Sequence, residues 1–443
     1  MYTFALFLLF GLALEIKTQT TTPEQVHLSY GVDPTQMLVT WSSMAPYAVN
    51  PVCNYCVSKQ SLTMKAYGTS KKFVDGGKGK HTQYIHRVAL IKLQPGTMYN
   101  YQCGDGKSMT KIFNFTAMRD DADWGPQIAM YGDLGLKNGQ SVKRLKDDTQ
   151  KGMYDAIFHI GDFAYDLDTQ NASYGDEFLR EMESLAAQLP YMTCPGNHEY
   201  HNFSNYKNRF TMPTDEYGDR MFYSFNMGPA HIISLSTEYY FFIYYGIMQP
   251  VHQYKWLEKD LQEANKPENR AKRPWIITMG HRPMYCSNKD HDDCTRHESL
   301  VRIGIPLIHA YGLEKLFYDY GVDLALWAHE HSYERLWPIY DRQVYNGSLA
   351  EPYTNPKAPV HIITGSAGCQ ENHDDFKNNT ASWSAFRSND YGYTRMHIMN
   401  KTHLYLEQVS DDKGGKIIDS ITTKKRSSWV IFEERNTTKE YKT

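Results

Sequence analysis

The stretch IFHIGDFAYDLD, Ile157 to Asp168, is a short apolar run that passes through His159, closes on Gly161 and Asp162, and places Tyr165 three residues beyond the aspartate. A brief apolar run bounded by glycine reads as a buried strand with a sharp turn at its C-terminal end. A carboxylate and a phenol side by side at such an end need something to bind.

Outward from this stretch the same ending recurs. QIAMYGDLG (127–135), YMTCPGNHE (191–199), WIITMGHRP (275–283) and DLALWAHEHSYER (323–335) also run from apolar residues into Asp, Asn or His, usually just after a glycine; HIITGSAG (361–368) is a sixth apolar run. Between the runs lie segments of helical periodicity. In YGDEFLREMESLAAQL, Phe178, Met182, Leu185 and Leu189 share a face, and in HQYKWLEKDLQEANK the apolar positions are Trp256, Leu257 and Leu261. Strands alternating with helices predict a layered α/β domain, and in such folds the C-terminal strand ends form the edge that carries the site.

These ends supply Asp133, Asp162, Tyr165, Asn197, His198, His281, His329 and His331. Oxygen donors mixed with several imidazoles suit a pair of transition metals better than calcium, which prefers oxygen throughout. One carboxylate can bridge two cations. A phenolate is a hard ligand that stabilises a ferric ion, and the Asn and His set suits a divalent partner. Each element also has a plainer reading: Gly-Asp as a turn or helix cap, His-x-His as two faces of one strand. Five strand ends carrying such residues in order favour the metal site. His159, inside an apolar strand, reads as a core histidine; Asp166 and Asp168 as carboxylates near the site or on the surface; Glu334 and Arg335 as an ion pair or loop brace.

Before Trp124 the texture differs. From about Pro23, short runs such as QVHLSY, MLVTWSS, RVALIKL, TMYNYQCG and KIFNFTA are separated by turn residues, which predicts an all-β fibronectin-III-like sandwich over residues 23–118. No chemical cluster occurs in it, so its expected role is packing against the rest of the chain.

At 443 residues the chain is long enough for two or three domains, and a formal net charge of -3 provides no overall field for nucleic acid or an anionic membrane. The N-terminal MYTFALFLLFGLALEIKTQT has an apolar core too short to span a bilayer, and residues 1–20 are expected to be a signal peptide; a buried first strand or helix is the alternative. Sequons at Asn114, Asn171, Asn202, Asn346, Asn378, Asn400 and Asn436 agree with export as a glycoprotein, secreted or lysosomal. Seven cysteines then imply disulfides and at least one leftover thiol. Cys286 with Cys294 is the first candidate pair, and Cys53 or Cys56 with Cys103 the second. The tail, residues 426–443, is polar and no second run of spanning length occurs.

The blocks GDLG, GDFAYD, GNHE, GHRP and AHEHSYER resemble, in order and spacing, the signature of the metallophosphoesterases, and Tyr165 makes the chain similar to the purple acid phosphatases, in particular the long-chain animal form. The resemblance implies a four-layer calcineurin-like metallophosphoesterase domain over 125–425, with β-sheets sandwiched by helices. It implies ferric iron held by Asp133, Asp162, Tyr165 and His331. It also implies a divalent iron, zinc or manganese held by Asp162, Asn197, His281 and His329, with Asp162 bridging. His198 would contact phosphate and protonate the leaving oxygen, and a metal-bound hydroxide would attack. Ala328 stands where many relatives have glycine, and the additional histidine pair of the plant enzymes is missing, with only His291 nearby. The implied activity is acid hydrolysis of a small phosphate monoester. A phosphodiesterase or nucleotide pyrophosphatase on the same metals, or a non-catalytic metal-stabilised ectodomain, are the alternatives.

Overall fold

The computed structural model describes residues 20–213, 221–305 and 308–425; the expected signal peptide (save Thr20), the polar tail and the Asn436 sequon lie outside them. In the N-terminal part the expected short strands form two four-stranded antiparallel sheets. One runs in the order Glu24–Tyr30, Met37–Ser43, Thr82–Leu90, Thr69–Val74, and the other Met64–Tyr67, Val52–Val57, Met98–Gly104, Phe113–Thr116. Alternate residues face inward, as the strand period of two requires: Val26, Leu28 and Tyr30, then Met37, Val39 and Trp41, meet Tyr99, Tyr101 and Cys103 in one core. Cys53 pairs with Cys103 on the neighbouring strand and Cys286 with Cys294, while Cys56, Cys194 and Cys369 are buried free thiols.

From Gln127 onward two mixed sheets carry the fold. The six-stranded sheet runs Tyr191–Cys194, Ala156–Ile160, Gln127–Tyr131, Gly392–His397, His403–Ser410, Lys416–Lys424, and its first three strands are parallel. The seven-stranded sheet runs Tyr223–Met227, Ala230–Ser234, Trp275–Met279, Leu324–Trp327, Val360–Thr364, Tyr333–Leu336, Ser384–Ser388, parallel from the second strand to the fifth. Helices Val142–Gln150, Ser173–Ala186, Gln249–Ala264 and Leu313–Asp319 join the parallel pairs and bring each strand back to the same edge, except that Leu324–Trp327 reaches Val360–Thr364 through short strands that begin with Tyr333–Leu336.

The strands are apolar throughout because both their faces are covered. In the seven-stranded sheet, Ile232, Ile277, Leu326 and Ile362 enter the core shared with the six-stranded sheet. Their neighbours Ile233, Ile276, Ala325 and Ile363 turn to the opposite face, under Leu257, Leu261, Leu316 and Phe317 of two helices. On the other side His159 meets Phe178 of helix Ser173–Ala186, with ring centroids 6.0 Å apart, while Phe158 points inward to Phe225. Helix, sheet, sheet, helix is therefore the order of layers.

Phe178, Met182 and Leu185 are buried as their spacing predicts; Leu189 falls beyond the helix and is only partly buried, as is Trp256. Each fully buried side chain of that face contributes on the order of 2 kcal/mol by leaving water.

The N-terminal sandwich docks on helix Ser173–Ala186 and on the segment after it. Val26 N–H donates to Glu183 Oε2 at 3.0 Å, Tyr101 Oη to the Ala187 carbonyl at 2.7 Å, and Thr40 Oγ1 to Thr211 Oγ1 at 2.7 Å. The sandwich thus packs against the rest of the chain.

Candidate metal centre

Every chemistry-bearing strand ends at one edge, and the ends are laced together beyond the sheets. Gly132 N–H donates to Thr364 O across the two sheets at 3.0 Å, Asp133 N–H to Gly161 O at 3.3 Å, and Ala328 N–H to His281 O at 2.9 Å. Asp133, Asp162, Tyr165 and His329 all take left-handed backbone conformations, with φ of 56°, 52°, 53° and 71°. Residues with side chains hold that conformation only where surrounding contacts impose it, and it turns these four side chains away from the strand direction. The glycines make room. A Cβ on Gly196 would stand 2.2 Å from Asp162 Oδ1, and one on Gly132 2.3 Å from Ala328 Cβ, so glycine at 132 is what admits alanine at 328.

The predicted residues gather in two groups. In the first, Tyr165 Oη lies 3.0 Å from Asp133 Oδ1 and 3.0 Å from His331 Nε2. In the second, His281 Nε2 lies 3.2 Å from Asp162 Oδ2 and 3.1 Å from Asn197 Oδ1, and His329 brings a ring nitrogen within 4.8 Å of the Asp162 and His281 donors. Backbone carbonyls set the tautomers. His281 Nδ1–H donates to Ile160 O at 2.8 Å and His331 Nδ1–H to Asn372 O at 3.0 Å, so each presents Nε2 to its group. His329 is turned the other way, with Nε2 against Asp292 and 2.8 Å from Arg282 Nη1.

This donor set fits two metal ions. Ligands bound to one transition metal at about 2.0–2.2 Å stand about 3 Å apart, close to the spacing of Tyr165 from Asp133 and His331 and of His281 from Asp162 and Asn197, with His329 within 4.8 Å. Asp133 and Asp162 are buried beside imidazoles, with Arg282 close enough to feel the charge of Asp162, and the charge balance reflects these neighbours. Burial pushes Asp133 up to about 6. Burial acts to raise Asp162 as well, but the facing His281 and His198 outweigh it and hold that carboxyl far below its ordinary range. Against its own burial, His281 is carried up to about 10, chiefly by Asp162 and then Asp133. Protonated imidazoles here balance charge that cations would balance in their place.

His198 stands at the mouth, partly exposed. Its Nδ1 faces Asp166 Oδ1 at 2.5 Å, which leaves Nε2 toward the cleft, 4.0 Å from Asp162 Oδ2 and 3.6 Å from Glu371 Oε2. The cleft has a volume of about 360 Å³, with Asp162, Asn197, His198, His291, His329 and His331 among its walls.

Several residues escaped the sequence reading. Glu199, fully buried, accepts from the backbone N–H groups of Asp162, Phe163 and Gly196 at 2.9, 3.1 and 2.7 Å and so ties two ligand loops together. Asp292 and Arg282 orient His329, with Arg282 anchored on Glu238 at 3.1 Å. Cys369 sets its sulfur 3.3 Å from His331 Nδ1. Glu199 and Arg282 lie inside the recognised blocks, but Asp292 and Cys369 carry no local signal. The plainer readings also have their places. His159 is a core residue, lowered to about 3 by burial. Glu334 receives Ser287 N–H at 2.9 Å and Arg335 pairs with Asp419 at 2.7 Å, so both are braces and not a pair with each other.

Residues 23–117 match the family model described as purple acid phosphatase, N-terminal domain; residues 126–333 match calcineurin-like phosphoesterase; and residues 358–420 match iron/zinc purple acid phosphatase-like protein C. The chain is 57% identical to mouse (Mus musculus) acid phosphatase type 7 over 93% of this chain and 91% of that one, and 56% identical to the human (Homo sapiens) protein of that name over 97% and 95%. The Fe(3+)-Zn(2+) purple acid phosphatase 12 of Arabidopsis thaliana is 27% identical over 91% of this chain and 84% of its own. Among solved structures, the purple acid phosphatase PPD1 from yellow lupin (Lupinus luteus) seeds superposes with a TM-score of 0.76 over 92% of this chain and 75% of that one, at 23% identity, a likeness of fold.

Proposed function

This chain belongs to the purple acid phosphatases, within the calcineurin-like phosphoesterases, and from that membership we propose that it is an acid phosphatase that hydrolyses small phosphate monoesters at a binuclear iron-containing centre. The observation that carries this reading is the pair of donor groups, Tyr165 3.0 Å from Asp133 and His331, and His281 3.2 Å from Asp162 and 3.1 Å from Asn197, opening on a cleft with His198 on its wall.

Asp133, Tyr165 and His331 would hold the ferric ion, Asn197, His281 and His329 the divalent one (iron, zinc or manganese), and Asp162 would bridge. When bound, such a pair supplies adjacent positive charge that offsets the phosphoryl oxygens and acidifies water, ferric iron the more strongly, which accounts for turnover in acid.

The protein's own groups do the rest. Ile160 O and Asn372 O hold the two imidazoles in the ligating tautomer. Asp166 holds His198 Nδ1, so that the Nε2 proton faces the cleft and is given to the departing alkoxide as its bond to phosphorus breaks. The benefit is largest for poor leaving groups.

The chain's expected route is the secretory pathway. The N-terminal apolar leader, two disulfides and the exposure of Asn114, Asn171, Asn202, Asn378 and Asn400 support this, with Asn346 half-buried. No described helix is long and apolar enough to cross a membrane.

The test is hydrolysis of a phosphate monoester and a diester across pH by the purified glycosylated protein, before and after chelation. Monoester turnover strongest in acid and lost with the metals is the expected result. Dominant diester cleavage would replace this reading with a phosphodiesterase, and no turnover at full metal occupancy would replace it with a non-catalytic ectodomain.

A further inference from the structure

Glu330, between His329 and His331, is 1% exposed, and a hydrogen-bonding side chain that faces its carboxyl is a second carboxyl, that of Asp290. Oε2 has no hydrogen-bond donor among the described residues. Oε1 lies 2.9 Å from Cys294 Sγ, but that sulfur is joined to Cys286 and has no proton to donate. A buried carboxylate is ordinarily paired with a cation or hydrogen-bonded to an N–H or O–H donor; among the described residues this one faces a carboxyl and a disulfide sulfur instead.

Its neighbours are carboxylates too. One oxygen each from Asp290, Glu330 and Asp374 lies within 4.8 Å of the others, and all three residues line the cleft together with Asp292 and Glu371. Among the described residues no lysine or arginine lines it. Asp292 is engaged with His329 and Arg282, and Asp374 Oδ2 accepts the His331 N–H at 2.6 Å, with the His331 ring Nδ1 3.6 Å away. Two oxygens bound to one Ca²⁺ at about 2.4 Å can stand at most about 4.8 Å apart, so this triad has the span of an oxygen site for that ion.

We propose that Asp290, Glu330 and Asp374 form a third cation site on the cleft wall, adjoining the binuclear centre at His329, which takes a hard divalent cation, Ca²⁺ best. The buried Glu330 provides the fixed ligand; Asp374, held by the His331 backbone, and the exposed Asp290 close on the ion from the cleft side. The ion also offsets an acidic wall that would otherwise repel a phosphate ester. That consequence rests on the phosphatase reading, whereas the site does not.

The test is Ca²⁺ binding to the full-length holoenzyme, followed by calorimetry and by metal analysis after equilibrium dialysis. Expected is one saturable Ca²⁺ per chain beyond the two resident metals. Asp290→Asn, a change at an exposed residue, should weaken it at least tenfold with iron and divalent metal contents unchanged, and Glu330→Gln should abolish it. Where the Gln variant fails to fold, Asp290→Asn combined with Asp374→Asn serves in its place. In turnover assays Ca²⁺ should lower KM severalfold for the wild type and not for Asp290→Asn. A wild-type holoenzyme that takes up no Ca²⁺ at millimolar concentration, with a protonated carboxyl seen by infrared and lost in Glu330→Gln, would overturn the site; so would undiminished Ca²⁺ binding by the variants. Since binding is read without turnover, an inactive enzyme that binds Ca²⁺ leaves the site standing and counts only against the phosphatase reading.

Discussion

His281 and Ile160 meet across the two sheets: the ring Nδ1–H donates to the Ile160 carbonyl at 2.8 Å, so that Nε2 is left facing Asp162 Oδ2 at 3.2 Å. One contact thus sets both the tautomer and the aim of a ligand. Replacing His281 with alanine should remove the divalent metal while iron stays, and lower kcat by roughly a hundredfold or more, in line with the loss of a metal ligand. Metal analysis of the purified variant decides it: a full complement of both metals would show that His281 is not a ligand.

Tyr165→Phe should fold, since the ring is buried and only the hydroxyl is lost. Iron-loaded protein should then lack the visible absorption that charge transfer from phenolate to ferric iron produces. Absorption spectra recorded alongside iron content check this, and an iron-loaded variant that keeps its colour would remove Tyr165 from the centre.

Asp166 fixes His198 from behind, at 2.5 Å. Asp166→Asn should lower kcat about tenfold to a hundredfold on alkyl phosphates and far less on activated aryl phosphates, whose leaving groups need no proton. The His198→Ala variant should show the same dependence on leaving group, and the two losses should fall short of additive. Equal losses on both substrate classes would make the pair structural.

A charged cluster joins the sandwich to the catalytic part. Asp176 accepts from the buried Arg209 at 2.8 Å and from Gln83 at 3.3 Å, and meets His81 at 2.9 Å. Burial acts to raise its carboxyl, yet His81 and Arg209 outweigh burial and lower it to about 2. A group lowered in the folded state stabilises above its ordinary value near 3.8, and that contribution, about 2 kcal/mol, is lost as pH falls through about 2. The clamp therefore stays intact at mildly acid pH. Asp176→Asn should cost about 3 kcal/mol, because it leaves Arg209 buried without its carboxylate. Thermal unfolding measured from neutral pH down to about 2 should show the gap between wild type and variant narrowing only at the acid end.

Much of this was legible in the chain. The strand ends at Asp133, Asp162, Asn197, His281 and His329 could be read because apolar run, glycine and donor lie next to each other in sequence. The helix face of Phe178, Met182 and Leu185 followed from periodicity alone. The Cys286–Cys294 pair followed from closeness in sequence, but the choice of Cys53 over Cys56 depended on which residue stands opposite Cys103 in the strand register.

Local order of residues thus determined the kinds of elements, the edge that carries the site and the chemistry of its donors, since backbone turning and donor type are properties of a few adjacent residues. Tertiary structure alone decided which imidazole nitrogen faces the centre, that Glu199 binds two ligand loops together, that Asp292 and Asp166 orient the histidines, and that Glu330 is buried facing a carboxyl and a disulfide sulfur. The physical reason is that hydrogen bonding and burial are set by whatever the fold brings alongside, and the carbonyl, carboxylate or disulfide that arrives there comes from a distant part of the chain.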